Sequence, residues 1–382
     1  MIYLGLPLGT SHGWGVCGRM ITREMARMTP VELYTNQFHP QLLEDELEGT
    51  FLLGLLPKGS DPMNPSEGQA VDGPVLRGIP AFHEDYKPKL RGTFNVGYCF
   101  FEDNLLAPEG SARQFAQFDV IAAGSTWCAE ILRATGRTNV EVVLQGVDPV
   151  RFNKGFQEKI YFEDKFVVYS GGKLELRKGQ DLVIRAYQVL QERHKDVMLV
   201  NFWHNQWASN AQTICSSQHI KIPSLSGEFV EVVNALLAHN GIDLSRVITM
   251  GPRPNPLMPY VYKNTDVGLF PNRCEGGTNL VMCEYMACGK PVVAAMNSGH
   301  RDILTDDNSI PIRKSNPLTV TRDGRAVAQW NEPELEETIE KLEWAYQNRD
   351  KLRAIGDKAN EDLSKLTWTK TARQFYELLM RT

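Results

Sequence analysis

Short, mostly apolar runs punctuate the first part of the chain: Ile2 to Leu6, Val31 to Tyr34, Phe94 to Phe101, Asp119 to Ala123 and Val140 to Leu144. Runs of this length, bounded by Gly, Pro and polar residues, predict buried strands, while Val16 to Met28 and the stretch around Trp127 to Ala134 predict helices. A strand–helix–strand start implies parallel pairing through a right-handed crossover. Residues from about 49 to 92, rich in Pro and Gly, are the least regular and predict a surface insertion or a loop that covers a ligand.

The alternation then repeats. Lys165 to Ser170, Val197 to Trp203, Asp266 to Pro271 and Pro291 to Ala295 predict strands. Between them, Gln180 to His194 carries Leu182, Val183, Ala186, Tyr187 and Leu190 at helical spacing, and Leu280 to Cys288 predicts a helix stopped by Gly289. From Glu332 the pattern is helical, ending in an amphipathic stretch from Trp368 to Leu379. The segment Gln145 to Gly155, broken by Gly and Pro, sets the expected boundary: an N-terminal α/β domain over 1–155, a C-terminal one over 156–365, and a final helix over 366–382 that packs back on the first. In such sheets ligands sit beyond the carboxyl ends of the strands, so the site is expected in the cleft between the units.

A length of 382 residues suits two domains. Apolar residues at 42% and charged residues at 23% are those of a globular chain, and a net charge of -5 gives no general attraction to nucleic acid. Seven scattered cysteines with no Cys-x-x-Cys pair argue against a disulfide framework or structural zinc, and are expected to be reduced, mostly buried thiols of a cytoplasmic protein. The N-terminus predicts a first strand instead of a signal peptide, and no apolar run approaches a transmembrane length. Peripheral membrane contact is left open.

Two segments concentrate chemistry. In Ser170-Gly-Gly-Lys-Leu-Glu-Leu-Arg-Lys-Gly179, a strand-to-helix loop brings Lys173, Arg177 and Lys178 beside backbone amides at a helix N-terminus, an arrangement suited to a diphosphate. Alone, loop cations are more often solvated surface. In Pro271-Asn-Arg-Cys-Glu-Gly-Gly-Thr-Asn-Leu-Val-Met-Cys-Glu-Tyr-Met-Ala-Cys-Gly289, Gly276 and Gly277 let the backbone approach a ligand, Thr278 or Asn279 caps the helix, and Glu275 and Glu284 offer carboxylates for sugar or ribose hydroxyls.

Together these segments resemble the donor-binding signature of family 4 of the retaining GT-B glycosyltransferases, the glycosyl transferases group 1. Gly97-Tyr-Cys-Phe-Phe-Glu102, Phe118 to Ser125, Gln145 to Phe152 and Asp266 to Pro271 fall where such enzymes place similar strings. The resemblance implies two Rossmann-like domains with mostly parallel sheets facing each other across a cleft. It implies a nucleoside diphosphate sugar as co-substrate, with no other cofactor. Lys173 and Lys178 would hold the diphosphate, Glu284 the ribose, and Glu275 the transferred sugar. Amides from Gly277 through Thr278 and Asn279 to Leu280 would receive phosphate or sugar oxygens, and the backbone around Gly251 to Pro254, with Arg253, would lie near the base. Lys173 stands where Arg is commoner, and eight residues instead of seven separate Glu275 from Glu284.

Gly13-Trp-Gly-Val-Cys-Gly18 also matches a dinucleotide fingerprint, but its first Gly comes late after the strand and Glu32 arrives too early for the ribose carboxylate. In a glycosyltransferase, Gly13 and Gly15 would instead approach the donor diphosphate. On the acceptor side Glu102, at a strand's carboxyl edge, is the candidate to orient a hydroxyl. His12 and His83 are weaker candidates, and Trp203 to Trp207 is weighed as nucleotide-pocket lining against core. No Asp-x-Asp offers a metal bridge, so cations and a helix dipole are expected to stabilise the leaving group. The expected activity is transfer of a hexose-like sugar to the hydroxyl of a glycan, lipid or small molecule, retention being implied by the resemblance alone. The alternatives are a nucleotide-sugar epimerase, an NAD-dependent oxidoreductase using Gly13 to Gly18, and a catalytically silent sugar-binding protein.

Overall fold

The computed structural model describes residues 1–35, 45–58, 69–79, 90–106, 114–155, 159–205 and 207–381. The first domain runs β1 (Ile2–Gly5), α1 (Gly13–Ala26), β2 (Val31–Leu33), α2 (Glu46–Leu53), β3 (Gln69–Ala70), β4 (Val75–Gly78), β5 (Leu90–Arg91), β6 (Asn95–Cys99), β7 (Val120–Ala123), α3 (Thr126–Ala134) and β8 (Val140–Val142). Six of these strands form one all-parallel sheet in the order β2-β1-β4-β6-β7-β8, and β3 pairs with β5 apart from it.

The second domain runs β9 (Phe166–Gly171), α4 (Gln180–Arg193), β10 (Val197–Phe202), α5 (Ala208–Ala211), α6 (Phe229–His239), β11 (Val247–Thr249), α7 (Met258–Lys263), β12 (Val267–Phe270), α8 (Leu280–Ala287), β13 (Val292–Ala295) and β14 (Ile310–Ile312). The hairpin β15 (Ser315–Arg322) and β16 (Arg325–Pro333) precedes α9 (Leu335–Gln347), α10 (Arg349–Leu363) and α11 (Trp368–Leu379). Its parallel sheet has the order β11-β10-β9-β12-β13-β14. Counted from β9 this is the doubly wound 3-2-1-4-5-6 order, which reverses between β9 and β12 and opens a crevice there.

Two strongly parallel sheets need both faces covered. Val168, Leu199, Leu269 and Val293 on one face of the second sheet meet α4 and α9, while Val167, Tyr169 and Phe270 on the other meet α7 and α8. In α11, Trp368, Ala372, Phe375 and Leu379 recur at helical spacing and enter the core of the first domain beside Met20 and Ile21. The chain returns there through a tight crossing: a Cβ on Gly146 would stand 2.3 Å from the Trp368 nitrogen.

Two sequence expectations change. Within 49–92, α2 lies partly in the stretch and β4 is an interior strand between β1 and β6, while 59–68 and 80–89, where a covering loop is expected, lie outside the described residues. Four residues, preceded by Gly73-Pro74 and ending in Gly78, are too few to show a period. The hairpin β15–β16 was not anticipated. It turns at Asp323-Gly324, both at positive φ, and packs Ala328 and Trp330 on Leu176 and Cys274 of its own domain and toward Trp127 of the other.

Candidate active site between the two sheets

At the crevice between β9 and β12, two loops touch. The β9 loop ends in a 3-10 turn over Leu176–Lys178, and Gly179 then enters α4 at φ 73°, where an added Cβ would meet the Pro271 carbonyl at 2.2 Å. Arg273, in the β12 loop, is fully buried: its guanidinium meets Asp181 of α4 at 2.7 and 2.8 Å and the Leu176 carbonyl at 2.6 Å. A buried, doubly hydrogen-bonded pair of this kind fixes geometry, since neither partner tolerates losing the other. It holds the two loops in register.

That register brings the predicted charges together. Lys178 Nζ lies 2.6 Å from Glu275 Oε1, and Arg177 bridges Glu275 at 3.0 Å, Glu175 at 2.9 Å and Glu102 at 3.2 Å. Asn272 also donates to Glu275, and the Glu275 amide donates to Ser298 Oγ at 2.8 Å. Burial would raise the Glu275 carboxyl, but Lys178 and Arg177 overcome it and hold it down at about 2. Glu102 goes the other way: burial pushes its carboxyl up against the opposing pull of Arg177. Lys173 has no carboxylate partner within salt-bridge distance among the described residues. Its ammonium sits 4.0 Å above the Trp207 ring, and burial lowers its pKa.

The start of α8 is strained. Asn279 sits at φ 63°, where a non-glycine residue is uncommon, and its side chain caps the helix at the Met282 amide. Asn279 Nδ2 faces His300 Nε2 at 3.2 Å, and His300 Nδ1 meets the Ala295 carbonyl at 2.9 Å, which assigns the proton to Nδ1 and leaves Nε2 to accept. Burial keeps this imidazole neutral by lowering its pKa. Preceding Asn279, the buried Thr278 hydroxyl has no nitrogen or oxygen hydrogen-bond partner among the described residues and faces the Cys283 thiol. One turn on, Glu284 accepts from Asn255 Nδ2 at 2.7 Å and is pushed by burial up to about 8. The Asn255 amide donates to the Thr10 carbonyl of the first domain at 3.0 Å.

The first domain closes over these loops. His12 meets the Trp207 ring edge-on at 5.9 Å, giving a column of His12, Trp207 and Lys173 across the cleft. Trp14 stacks on Phe100 with ring centroids 3.9 Å apart, and Phe100 lies beside the position a Cβ on Gly277 would take. Gly276 abuts the Phe101 backbone, and its carbonyl accepts from Ser125 Oγ at 2.6 Å.

The three glycines Gly13, Gly15 and Gly18 all lie inside α1 instead of in the turn before it. A Cβ on Gly15 would meet Gly9 at 2.6 Å and one on Gly18 the Pro7 carbonyl at 2.0 Å, so these two let the helix pack on loop 6–12. Gly13, exposed, faces Leu280 of α8. This placement does not favour the dinucleotide fingerprint. Trp203 is core, donating to Ser170 Oγ at 3.0 Å, whereas Trp207 lines the cleft. Arg253 is exposed and His83 falls outside the described residues.

Sequence reasoning missed Asn255, Asn272, Ser298 and His300. The last two sit just beyond β13, and only the sheet order reveals that this loop braces the one after β12. All seven cysteines are unpaired, six of them buried and Cys215 exposed.

These features define a GT-B architecture, two Rossmann-like domains meeting at a charged cleft. Residues 224–343 match the family model described as glycosyl transferases group 1, so the chain resembles that family as its motifs imply. An uncharacterized glycosyltransferase of Methanocaldococcus jannaschii is 26% identical over 196 residues, covering 49% of this chain and 44% of that protein. A D-inositol 3-phosphate glycosyltransferase of Corynebacterium kroppenstedtii is 24% identical over 248 residues, covering 63% and 48%. The chain thus spans less than half the length of these curated relatives.

Among solved structures, sucrose-phosphate synthase of Thermosynechococcus elongatus superimposes with a TM-score of 0.69 at 13% identity, covering 99% of this chain and 97% of that one. Anabaena HepE in complex with UDP and glucose gives 0.64 at 14% identity, covering 100% and 99%. At such identities the likeness is one of fold.

Proposed function

We propose that the chain is a glycosyltransferase that moves a hexose-like sugar from a nucleoside diphosphate donor to an acceptor hydroxyl with retention of anomeric configuration. The observation that carries this is the pairing of Lys178 with Glu275 where the second sheet reverses its strand order, with Lys173 on the same loop as Lys178. In that state Arg177 and Lys178 are already matched by Glu102, Glu175 and Glu275, so an arriving diphosphate finds Lys173 without a carboxylate and Lys178 bound to only one. Both ammonium groups and the N-terminus of α8 then oppose the charge that grows on the leaving diphosphate.

Glu284, mostly protonated near neutrality and already hydrogen-bonded to Asn255, is suited to ribose hydroxyls, and the Thr278 hydroxyl to a phosphate or sugar oxygen. Glu275 faces the transferred sugar, and Glu102 orients the acceptor hydroxyl. The departing diphosphate takes the acceptor proton on the face it leaves, which accounts for retention. Closure of the first domain over the site excludes water. No metal or further cofactor enters this scheme.

The reading is tested by a thermal-shift panel of UDP-, GDP- and ADP-sugars, followed by release of nucleoside diphosphate with and without acceptor glycans, lipids and small molecules. Stabilisation by one donor class and acceptor-dependent release support it. Product formed from the donor alone would identify an epimerase instead.

A further inference from the structure

At the amino ends of β9, β12 and β13, opposite the cleft, lies a cavity of about 1180 Å³ lined by seven basic residues and two acidic ones. Four of the seven are matched: Lys154 by Asp357, Lys159 by Asp266, Lys165 by Asp164 and Arg349 by Asp196. Lys263, Lys290 and Arg353 have no carboxylate within salt-bridge distance among the described residues. Lys290 is held in place by the Lys263 and Thr265 carbonyls at 3.0 and 2.8 Å, and burial lowers its pKa. A neighbouring anion would offset that cost.

Ile160 and Tyr260 of its lining adjoin further exposed apolar side chains. Ile160, Tyr161 and Phe162 are consecutive and 57%, 48% and 40% exposed, and Tyr260, 58% exposed, meets the Tyr161 ring edge-on at 5.9 Å. Three adjacent apolar side chains in water are uncommon unless a partner covers them. They are also not a floppy loop: the Ile160 and Tyr161 amides both donate to Asn264 Oδ1 at 3.0 Å, and Phe162 is held at φ 58°, a costly conformation for an aromatic residue.

We propose that this face docks the protein on an anionic membrane surface, with Lys263, Lys290 and Arg353 receiving lipid phosphates and Ile160, Tyr161, Phe162 and Tyr260 entering the headgroup layer. Cations left without carboxylate partners and interfacial aromatic residues are the two parts such binding needs. A soluble anion would use the cations but has no use for the exposed apolar side chains, which is why the lipid surface is favoured. No helix among the described residues is long and apolar enough to cross a membrane, so this contact is peripheral. It does not depend on how the cleft is assigned, since it uses the other end of the sheet.

The test is co-sedimentation of the full chain with vesicles of phosphatidylcholine alone or mixed with phosphatidylglycerol, at low and high salt. Wild type should sediment only with the anionic vesicles, less so in high salt. The double variant Lys263→Ala/Arg353→Ala should lose roughly tenfold or more in partitioning, and Ile160→Ser/Phe162→Ser should lose binding that salt does not restore. Both variants should keep the wild-type melting temperature and any donor-induced shift. Failure of wild type to sediment, or equal sedimentation of the variants, overturns the proposal. So does a melting shift with inorganic pyrophosphate that needs Lys263 and Arg353 while vesicle binding is absent, because the site would then serve a soluble anion.

Discussion

Lys178 Nζ stands 2.6 Å from Glu275 Oε1 inside the cleft, so a cation assigned to the donor is already paired with a carboxylate assigned to the sugar. Binding a diphosphate must therefore share or break this pair. Removing the ammonium does two things: it strips charge from the leaving group and leaves the buried Glu275 with Arg177 as its principal counter-ion. Lys178→Ala should cut acceptor-dependent nucleotide release by about 100-fold or more and lower the melting temperature modestly, while Lys178→Arg keeps most of the stability. Initial rates and thermal melts on the three proteins check this; near-normal turnover in Lys178→Ala would remove the basis for the donor assignment.

Glu275 and Glu284 give stability opposite slopes with pH. Glu275 sits at about 2 in the folded chain against an ordinary 4.5, so its stabilisation is complete above about pH 4.5 and is lost as pH falls toward 2. Glu284 sits at about 8, so the fold favours its protonated form and stability declines as pH rises from about 4.5 through 8. Each pH unit between folded and unfolded values is worth about 1.4 kcal/mol at full ionisation. Glu284→Gln should be close to neutral at pH 5 and stabilising by on the order of 5 kcal/mol at pH 9. Urea unfolding at the two pH values measures it, and an equal effect at both would refute the buried, protonated state.

Part of this arrangement is legible in the sequence. Motif spacing singles out the loop cations Lys173 and Lys178, the carboxylates Glu275 and Glu284 and either Thr278 or Asn279 as the cap, of which Asn279 caps the helix; their part in donor binding is a proposal. The parallel sheets are legible because their strands are continuous apolar runs. What stayed hidden is set by the fold. Arg177 was seen as one loop cation among three, yet its place among Glu102, Glu175 and Glu275 depends on the other domain. Asn255 reaches Glu284 across 29 residues of sequence. The strand β4 is hidden by its Pro and Gly neighbours, whereas the Asp323-Gly324 turn of β15–β16 is a hairpin signal the sequence displays.

That hairpin ties the domains together through Asn104. Its Nδ2 donates to the Gln329 carbonyl at 3.0 Å and its Oδ1 accepts from the Gln329 amide at 2.7 Å, while Trp330 Nε1 donates to the Glu102 carbonyl at 2.8 Å. Each bond is worth about 1 kcal/mol. Asn104→Ala should therefore shift the balance toward an open cleft by about 2 kcal/mol or less, without unfolding either domain. Small-angle scattering should show a larger radius of gyration and kinetics a lower rate of nucleotide release. An unchanged radius together with unchanged kinetics would show that the hairpin does not hold the cleft closed.

Two glycines separate the role of closure from that of folding. A Cβ on Gly276 would stand 2.4 Å from the Phe101 carbonyl oxygen and 2.5 Å from its nitrogen, atoms of the opposite domain. A Cβ on Gly299 would stand 1.8 Å from the Gly277 carbonyl oxygen, within the same domain. Backbone cannot yield as a flexible side chain does, so in Gly276→Ala the domains must part, whereas in Gly299→Ala the donor loop itself must deform. The first change should leave the melting temperature nearly untouched while nucleotide release falls by tenfold or so, since about 1.4 kcal/mol of lost closure suffices for that. The second should lower the melting temperature as well, with a cost of about 1–3 kcal/mol typical of overpacking. If both variants lost stability equally, the contact at Gly276 would belong to the folded core and not to a cleft that opens and closes.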